Sequence, residues 1–262
     1  MRAFELIEEL KEGISYDGEN TCDTLKAGDE GKELHRVAVT MLATVDVIKA
    51  ATEWGADMII THEPTYYDHM DNIIKSPVTE AKRTLLEKSG AVLFRYHDYM
   101  HRDLPDGITE GELHYLGLSG RLELTPYFAS YIYRLDQPIT ALELARRIED
   151  RLGVKQAKIA GERNKKASVL ALCFGTPGSV FDMLLDEEAQ IILTGEICEW
   201  RDGEYARDAA ALGVNKSVIV MSHIGSERDG MRLLAEKLAE GHTEFETKYF
   251  ECGEVYTYTD GI

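Results

Sequence analysis

The segment Ile59-Ile60-Thr61-His62-Glu63-Pro64 is an apolar run that ends in a histidine, a glutamate and a proline. A proline has no backbone N–H to give to a neighbouring strand, so a strand is expected to end before it. In open α/β sheets, ligands bind outside the carboxyl ends of the strands. The segment therefore predicts a buried strand that delivers His62 and Glu63 to a binding site.

Two further apolar runs end in the same way, at Leu93–His101 and at Val218–Glu227. Each contains a pair of ligand-type side chains four residues apart, namely His97 with His101 and His223 with Glu227. Neutral imidazole is the commonest metal ligand in proteins, and carboxylates suit harder divalent ions. For any single histidine, a polar loop residue bonded to the backbone is the alternative. Three strand ends that share the pattern favour one metal-binding pocket.

Strands and helices alternate along most of the chain, which is typical of α/β architecture with largely parallel strands. Several helix starts carry a side chain that can cap the first turn. The predicted caps are Thr44, Ser76 before Pro77, Thr140 with Glu143 three residues later, and Ser226 before the last long helix. A final strand is expected around residues 248–258.

Composition limits the function classes. The formal net charge is -18 over 262 residues, and a field of that sign repels nucleic-acid phosphates and anionic membranes. The four cysteines lie far apart without C-x-x-C spacing, which indicates reduced thiols and not a disulfide framework. The chain shows no secretory signal pattern and no apolar run near the roughly 20 residues that cross a bilayer. We therefore expect a soluble, cytoplasmic protein that binds neither nucleic acid nor membrane.

Taken together, these segments resemble the Nif-three-like proteins, also called dinuclear-metal-centre hexameric proteins, many of which carry the name GTP cyclohydrolase 1 type 2 homologue. The resemblance covers nearly the whole chain. The family's His-His-Pro after an aliphatic strand is similar to Thr61–Pro64, and its His-Thr-Asn-x-Asp corresponds to His97–His101. Its Thr-Gly-Glu is intact at Thr194–Glu196, and its Gly-His-x-x-x-Glu-x-x-Gly corresponds to Ser222–Gly230.

The chain departs from the family pattern at two ligand positions. Glu63 stands at the family's second histidine, and His101 stands at its ligand aspartate. The tally of three histidines and two carboxylates is therefore kept. The metal ligands that the resemblance implies are His62, Glu63, His101, His223 and Glu227, with His97 in the second shell or as an additional ligand. The family's Trp-Asp-Asn segment is also replaced, by residues 20–23.

The resemblance implies an α/β fold of two interlinked domains with mixed, largely parallel sheets flanked by helices. Residues 1–126 with 217–262 are predicted to form the first domain, and residues 127–216 the second. It also implies a homo-hexamer with one or two divalent ions per chain, either Zn, Fe, Mn or Ni.

The predicted function is a metal-dependent hydrolase acting on a small nucleotide- or phosphate-bearing molecule. Bound metal would lower the pKa of a water molecule, and Glu63 or Glu196 would act as general base. The alternative is a non-enzymatic metal-binding or regulatory hexameric scaffold. Turnover of a nucleotide panel, abolished by Glu227→Ala, separates the two.

Overall fold

The computed structural model describes residues 1–259, which form two compact units. The first unit consists of Met1–Gly107 and Gly230–Glu254, and the second consists of Ile108–Asp229 with residues 255–259. Residues 108–126, 217–229 and 255–259, which the sequence assigned to the first domain, lie in the second compact unit. Whether the predicted bounds are those of true domains is not tested by this division, so they stay a prediction.

The chain alternates between strands and helices as expected. The strands are β1 (Leu25–Ala27), β2 (Arg36–Thr40), β3 (Met58–Thr61), β4 (Val92–Arg95), β5 (Gly120–Leu124), β6 (Tyr131–Thr140), β7 (Lys158–Gly161), β8 (Lys166–Cys173), β9 (Ile191–Thr194), β10 (Ser217–Val220) and β11 (Glu246–Tyr249). The helices are α1 (Ala3–Lys11), α2 (Val45–Trp54), α3 (Pro77–Ser89), α4 (Asp98–Arg102), α5 (Gly107–Leu116), α6 (Ala141–Leu152), α7 (Val180–Leu185), α8 (Glu204–Ala211) and α9 (Arg228–Gly241).

The first unit contains a five-stranded sheet in the order β1-β4-β3-β2-β11. β4, β3, β2 and β11 run parallel, and the short edge strand β1 is antiparallel to β4. β3 is buried at all four positions, as its continuous apolar run predicts for a central parallel strand. The hydrophobic core of the first unit includes Ala38, Val47, Ile48, Ala51, Ile59, Leu86 and Leu93.

The second unit contains a six-stranded sheet in the order β5-β6-β8-β9-β10-β7. β8, β9 and β10 are parallel neighbours, and the outer strands pair in the antiparallel sense. One cluster of its core contains Ala171, Val180, Met183, Leu184, Ile192, Ala206 and Val218. Two mixed sheets flanked by helices confirm the predicted α/β class.

Three of the four predicted helix caps are confirmed. The hydroxyls of Thr44 and Ser76 accept hydrogen bonds from backbone N–H groups three residues on, and Thr140 forms a reciprocal capping box with Glu143. The prediction for Ser226 is wrong, because α9 begins at Arg228 and Ser226 lies in the 3-10 turn before it. Its hydroxyl instead accepts the N–H of Gly175 at 3.0 Å and donates to the carbonyl oxygen of His223.

The predicted final strand is shorter than expected and ends at Tyr249, so residues 250–258 are outside it. The sequence analysis did not find β1 or β5, each of which is one of the two edge strands of its sheet. Within residues 1–259, none of the helices combines the length and the apolar character that crossing a membrane requires.

Candidate metal centre

Two parallel strands of the first unit deliver histidines to the same sheet edge. β3 and β4 pair in register, with Thr61 opposite Arg95, and each is followed at once by polar residues. The N–H of Tyr96 donates to the carbonyl oxygen of Thr61 at 2.9 Å, so the pairing continues one residue beyond the strand. His62 and His97 therefore emerge side by side at the carboxyl ends of the strands.

A buried carboxylate fixes the turn that carries His97 and His101. Asp23 accepts hydrogen bonds from the backbone N–H groups of His97, Asp98 and Tyr99 at 2.8–2.9 Å, at the start of α4. Carboxylates at a helix N-terminus satisfy N–H groups that have no acceptor within the helix. One helical turn then separates His97 from His101, so both rings face the same side. Asp23 belongs to the segment that replaces the family's Trp-Asp-Asn.

Each of the three histidines of this unit has its Nδ1 held by an oxygen atom. His62 Nδ1 donates to the carbonyl oxygen of Tyr96 at 3.0 Å, and His97 Nδ1 donates to Asp98 at 2.9 Å. His101 Nδ1 lies 2.9 Å from the carboxylate of Asp106. Oxygen acceptors of this kind fix the tautomer and ring orientation of metal-binding histidines. Nε2 is then the nitrogen that can ligate an ion.

The three imidazoles form a compact donor set. Their ring centroids are 4.6–5.0 Å apart, and one ring nitrogen from each lies within 4.8 Å of the others. Burial, followed by the neighbouring His97 and His101, lowers the pKa of His62 well below its usual range. A neutral His62 with a proton on Nδ1 presents a lone pair at Nε2, as a metal requires. The residues present therefore fit a divalent ion that prefers nitrogen ligands.

The carboxylate of Asp98 supports this arrangement. Burial acts to raise its pKa, but hydrogen bonds from His97, the Cys22 N–H and the Thr21 hydroxyl together hold the pKa well below its usual range. Asp98 is consequently an anion and can only accept from His97. The ring of His97 is thus fixed by a charge-assisted hydrogen bond.

Glu63 lies beside this cluster. One oxygen of its carboxylate is 3.8 Å from His97 Nε2, and the other is 4.0 Å from the guanidinium of Arg95. The ring of His69, in the loop after β3, lies edge-on to His97 with 5.6 Å between centroids. The first unit therefore gathers four histidines and one ligand-type carboxylate.

The second unit carries its own histidine–carboxylate group. β9 and β10 are parallel neighbours, with Thr194 opposite Val220, so the residues after them share one sheet edge. His223 Nδ1 lies 2.9 Å from Glu196, and His223 Nε2 lies 3.2 Å from Glu227. Glu196 orients the ring of His223. The carboxylate of Glu227 and Nε2 of His223 are then neighbouring atoms that could both ligate a metal ion.

Close backbone approach explains the glycine in Thr-Gly-Glu. A Cβ atom on Gly195 would lie 2.6 Å from the carbonyl oxygen of Gly175 and 2.9 Å from the Cα atom of His223. A Cβ on Gly175 would lie 2.1 Å from Glu227. Ser222, just before the histidine, has φ of 73°, in the left-handed region that few non-glycine residues adopt. The backbone around His223 is therefore tightly constrained.

The sequence-predicted residues thus fall into two groups. His62, Glu63, His97 and His101 come together in the first unit, and Glu196, His223 and Glu227 come together in the second. That both groups bind at one centre stays a prediction. The roles of Glu63 and Glu196 as general bases likewise stay predictions.

Sequence reasoning missed the residues that orient the histidines. Asp98 adjoins His97 in the chain, and that adjacency was the one signal available for it. Asp23 and Asp106 carry no periodic or motif signal, because the fold alone brings them to their partners. The side chain of His69 is exposed, but its ring packs against His97.

Comparison with known proteins gives consistent results over most of the chain. The family model Duf34/NIF3 (NGG1p interacting factor 3) matches residues 3–254. The GTP cyclohydrolase 1 type 2 homolog of Clostridium perfringens is 25% identical over 237 residues, which cover 88% of this chain and 86% of that protein. The protein of the same name from Escherichia coli K12 is 25% identical over 226 residues, covering 85% and 86%.

Solved structures share the fold. The structure of protein ybgI, described as of unknown function, has a TM-score of 0.80 at 21% identity and covers 97% of this chain and 99% of its own. A Bacillus cereus protein related to NIF3 has a TM-score of 0.76 at 14% identity and covers 99% of both chains. These likenesses confirm the fold class.

Proposed function

The chain belongs to the Duf34/NIF3 family, and from this membership and the geometry of its histidines we propose that it is a metal-dependent hydrolase of small nucleotide- or phosphate-bearing molecules. One observation carries the proposal. Oxygen atoms hold Nδ1 of His62, His97, His101 and His223, so that Nε2 is the ligating nitrogen in all four. A hydrogen bond from Nδ1 to an oxygen atom is the usual arrangement of metal-ligating histidines, and here four rings share it.

The proposed ligands of the first unit are His62, His97, His101 and Glu63. The proposed ligands of the second unit are His223 and Glu227. Imidazole and carboxylate donors together suit Zn, Fe, Mn or Ni, and the number of ligands accommodates one or two ions per chain. A bound divalent ion would polarise a substrate oxygen or acidify a water molecule. The cluster is buried at His62 and His101, so bulk water is excluded from that side.

Two glutamates are proposed to handle protons. The side chain of Glu196 is 55% exposed and receives the Nδ1 hydrogen bond of His223, so it can exchange a proton with solvent and with that ring. Glu63 lies between His97 and Arg95, with one carboxylate oxygen 3.8 Å from His97 Nε2 and the other 4.0 Å from the guanidinium of Arg95. Either carboxylate can hold the proton that a nucleophilic water gives up.

The substrate class rests on the name that the relatives carry, GTP cyclohydrolase 1 type 2 homolog. Metal-loaded protein is to be incubated with a panel of nucleoside mono-, di- and triphosphates, and product formation followed by chromatography. We expect turnover of at least one member, its loss in Glu227→Ala, and its retention in Glu199→Ala, which removes an exposed carboxylate of the same unit. Metal-loaded protein without turnover on the whole panel would contradict the hydrolase proposal.

A second candidate is a metal-binding or regulatory scaffold that assembles with copies of itself, as a hexamer by resemblance. A run of exposed apolar side chains in the first unit favours protein contacts: Tyr67, Met70, Ile73, Ile74 and Val78. Light scattering at micromolar concentration is expected to give a mass above that of a dimer. A monomeric mass would contradict assembly.

A further inference from the structure

Arg95, the last residue of β4, places a permanent positive charge at the three-histidine cluster. The residue is fully buried, its Nε donates to the carbonyl oxygen of His62 at 2.9 Å, and its Nη1 donates to the carbonyl oxygen of His69. Within residues 1–259, Nη2 has no hydrogen-bond acceptor, and it lies 4.0 Å from the carboxylate of Glu63. Arginine does not lose its proton in proteins, so this charge persists at every physiological pH.

A second anion beside Arg95, Asp71, is shared with another cation. Asp71 Oδ2 lies 3.7 Å from Arg95 Nη1 and 3.2 Å from the ammonium of Lys26. The side chains of Asp71 and Lys26 are only 2% and 6% exposed, so solvent screens these charges weakly. One carboxylate cannot neutralise two buried cations. Glu63 therefore supplies the remaining negative charge that Arg95 faces.

We propose that Arg95 is the resident counter-ion of the metal site, holding Glu63 in the metal-free protein and opposing the bound cation. This inference rests on the proposed metal site. A metal ion and the guanidinium compete for the same carboxylate, and the guanidinium repels the ion once it is bound. Arg95 thereby weakens metal binding and favours exchange of the ion. It acts through charge and position and does not touch a substrate.

Two substitutions at Arg95 separate charge from geometry. Arg95→Lys and Arg95→Gln both lose the forked hydrogen bonds to the loop carbonyls, but only the lysine variant keeps the positive charge. Zinc affinity is measured by competition with a chelating dye. We expect Arg95→Gln to bind zinc about tenfold more tightly than Arg95→Lys, as expected for removing a unit charge near a divalent ion at an effective dielectric constant between protein and water. Equal or weaker binding by Arg95→Gln overturns the proposal.

Substitution of Asp71 tests the same charge in the opposite direction. Asp71→Asn keeps the oxygen that accepts the N–H of Tyr66 but removes the charge beside Arg95. We expect zinc binding weaker than wild type by severalfold. Asp68→Asn, in the same loop but without an ion pair to Arg95 among the residues described, is the matched control. If both Arg95 variants fail to fold, an Asp71→Asn variant that binds as Asp68→Asn does overturns the proposal.

The wild-type titration distinguishes this inference from the function on which it rests. Wild-type protein that binds no zinc, manganese, iron or nickel refutes the metal site itself, and the counter-ion role falls with it. If wild-type protein binds metal, but the affinity changes neither between the two Arg95 variants nor in Asp71→Asn, only the role of Arg95 is refuted.

Discussion

Replacement of Asp106 by alanine tests whether the acceptors behind the histidines support a metal site. Asp106 is 1% exposed, and its carboxylate lies 2.9 Å from His101 Nδ1. Without it, a buried imidazole N–H loses a charged acceptor, which costs about 1.5–3 kcal/mol. Loss of the group that orients a metal-binding histidine commonly lowers affinity by roughly 10–100-fold, or about 1.4–2.7 kcal/mol. The first figure is a loss of folding stability and the second is a loss of metal affinity, so the two are measured separately.

The assay is a competition titration with zinc at neutral pH, with thermal unfolding recorded in parallel. Asp106→Ala is expected to bind zinc roughly 10–100-fold more weakly than wild type. The zinc affinity of Asp106→Asn is expected to lie between those of wild type and Asp106→Ala, because its amide oxygen can still accept from His101. Asp103→Ala, three residues earlier and exposed, is expected to match wild type. Undiminished zinc affinity in a folded Asp106→Ala variant would refute the reasoning.

The remaining predictions concern the second unit, the exchanged ligand pair and a buried lysine. His223→Ala should lower metal content more than His114→Ala does, because His114 is exposed and its ring packs on that of Tyr115. Equal metal content in the two variants would count against His223 as a ligand. Glu63→His and His101→Asp should each weaken metal binding, and the double variant should recover much of the loss. If the two losses in binding free energy simply add in a double-mutant cycle, the two positions are independent. Burial lowers the pKa of Lys82 to about 8, so the unfolded chain binds more protons between about pH 8 and the ordinary value of 10.5. The stability of wild type relative to Lys82→Met should therefore rise over that window, as thermal melting at both ends can check.

Local chemistry made parts of the fold predictable. The caps Thr44, Ser76 and Thr140 act on N–H groups three residues away, so the sequence alone contains both partners. The strand ends at His62 and Glu63 were predictable because an apolar run and a proline bound them.

Features set by distant partners were not predictable. Ser226 has the chemistry of a cap, but the N–H of Gly175, 51 residues away, takes its hydroxyl instead. Asp23 accepts the backbone N–H of His97, 74 residues away in the chain. The edge strands β1 and β5 are short and have no fully buried position, so no apolar run indicates them.

The central claim is that the first unit's histidines hold a divalent ion, and elemental analysis of the purified protein tests it most directly. Wild type and His69→Ala should retain metal, about one or two ions per chain, because His69 packs beside the cluster without belonging to the predicted ligands. His62→Ala and His97→Ala should each lose most of it while remaining folded. Metal content that is the same in all four proteins, or absent from wild type after exposure to zinc, manganese, iron and nickel, would contradict the account.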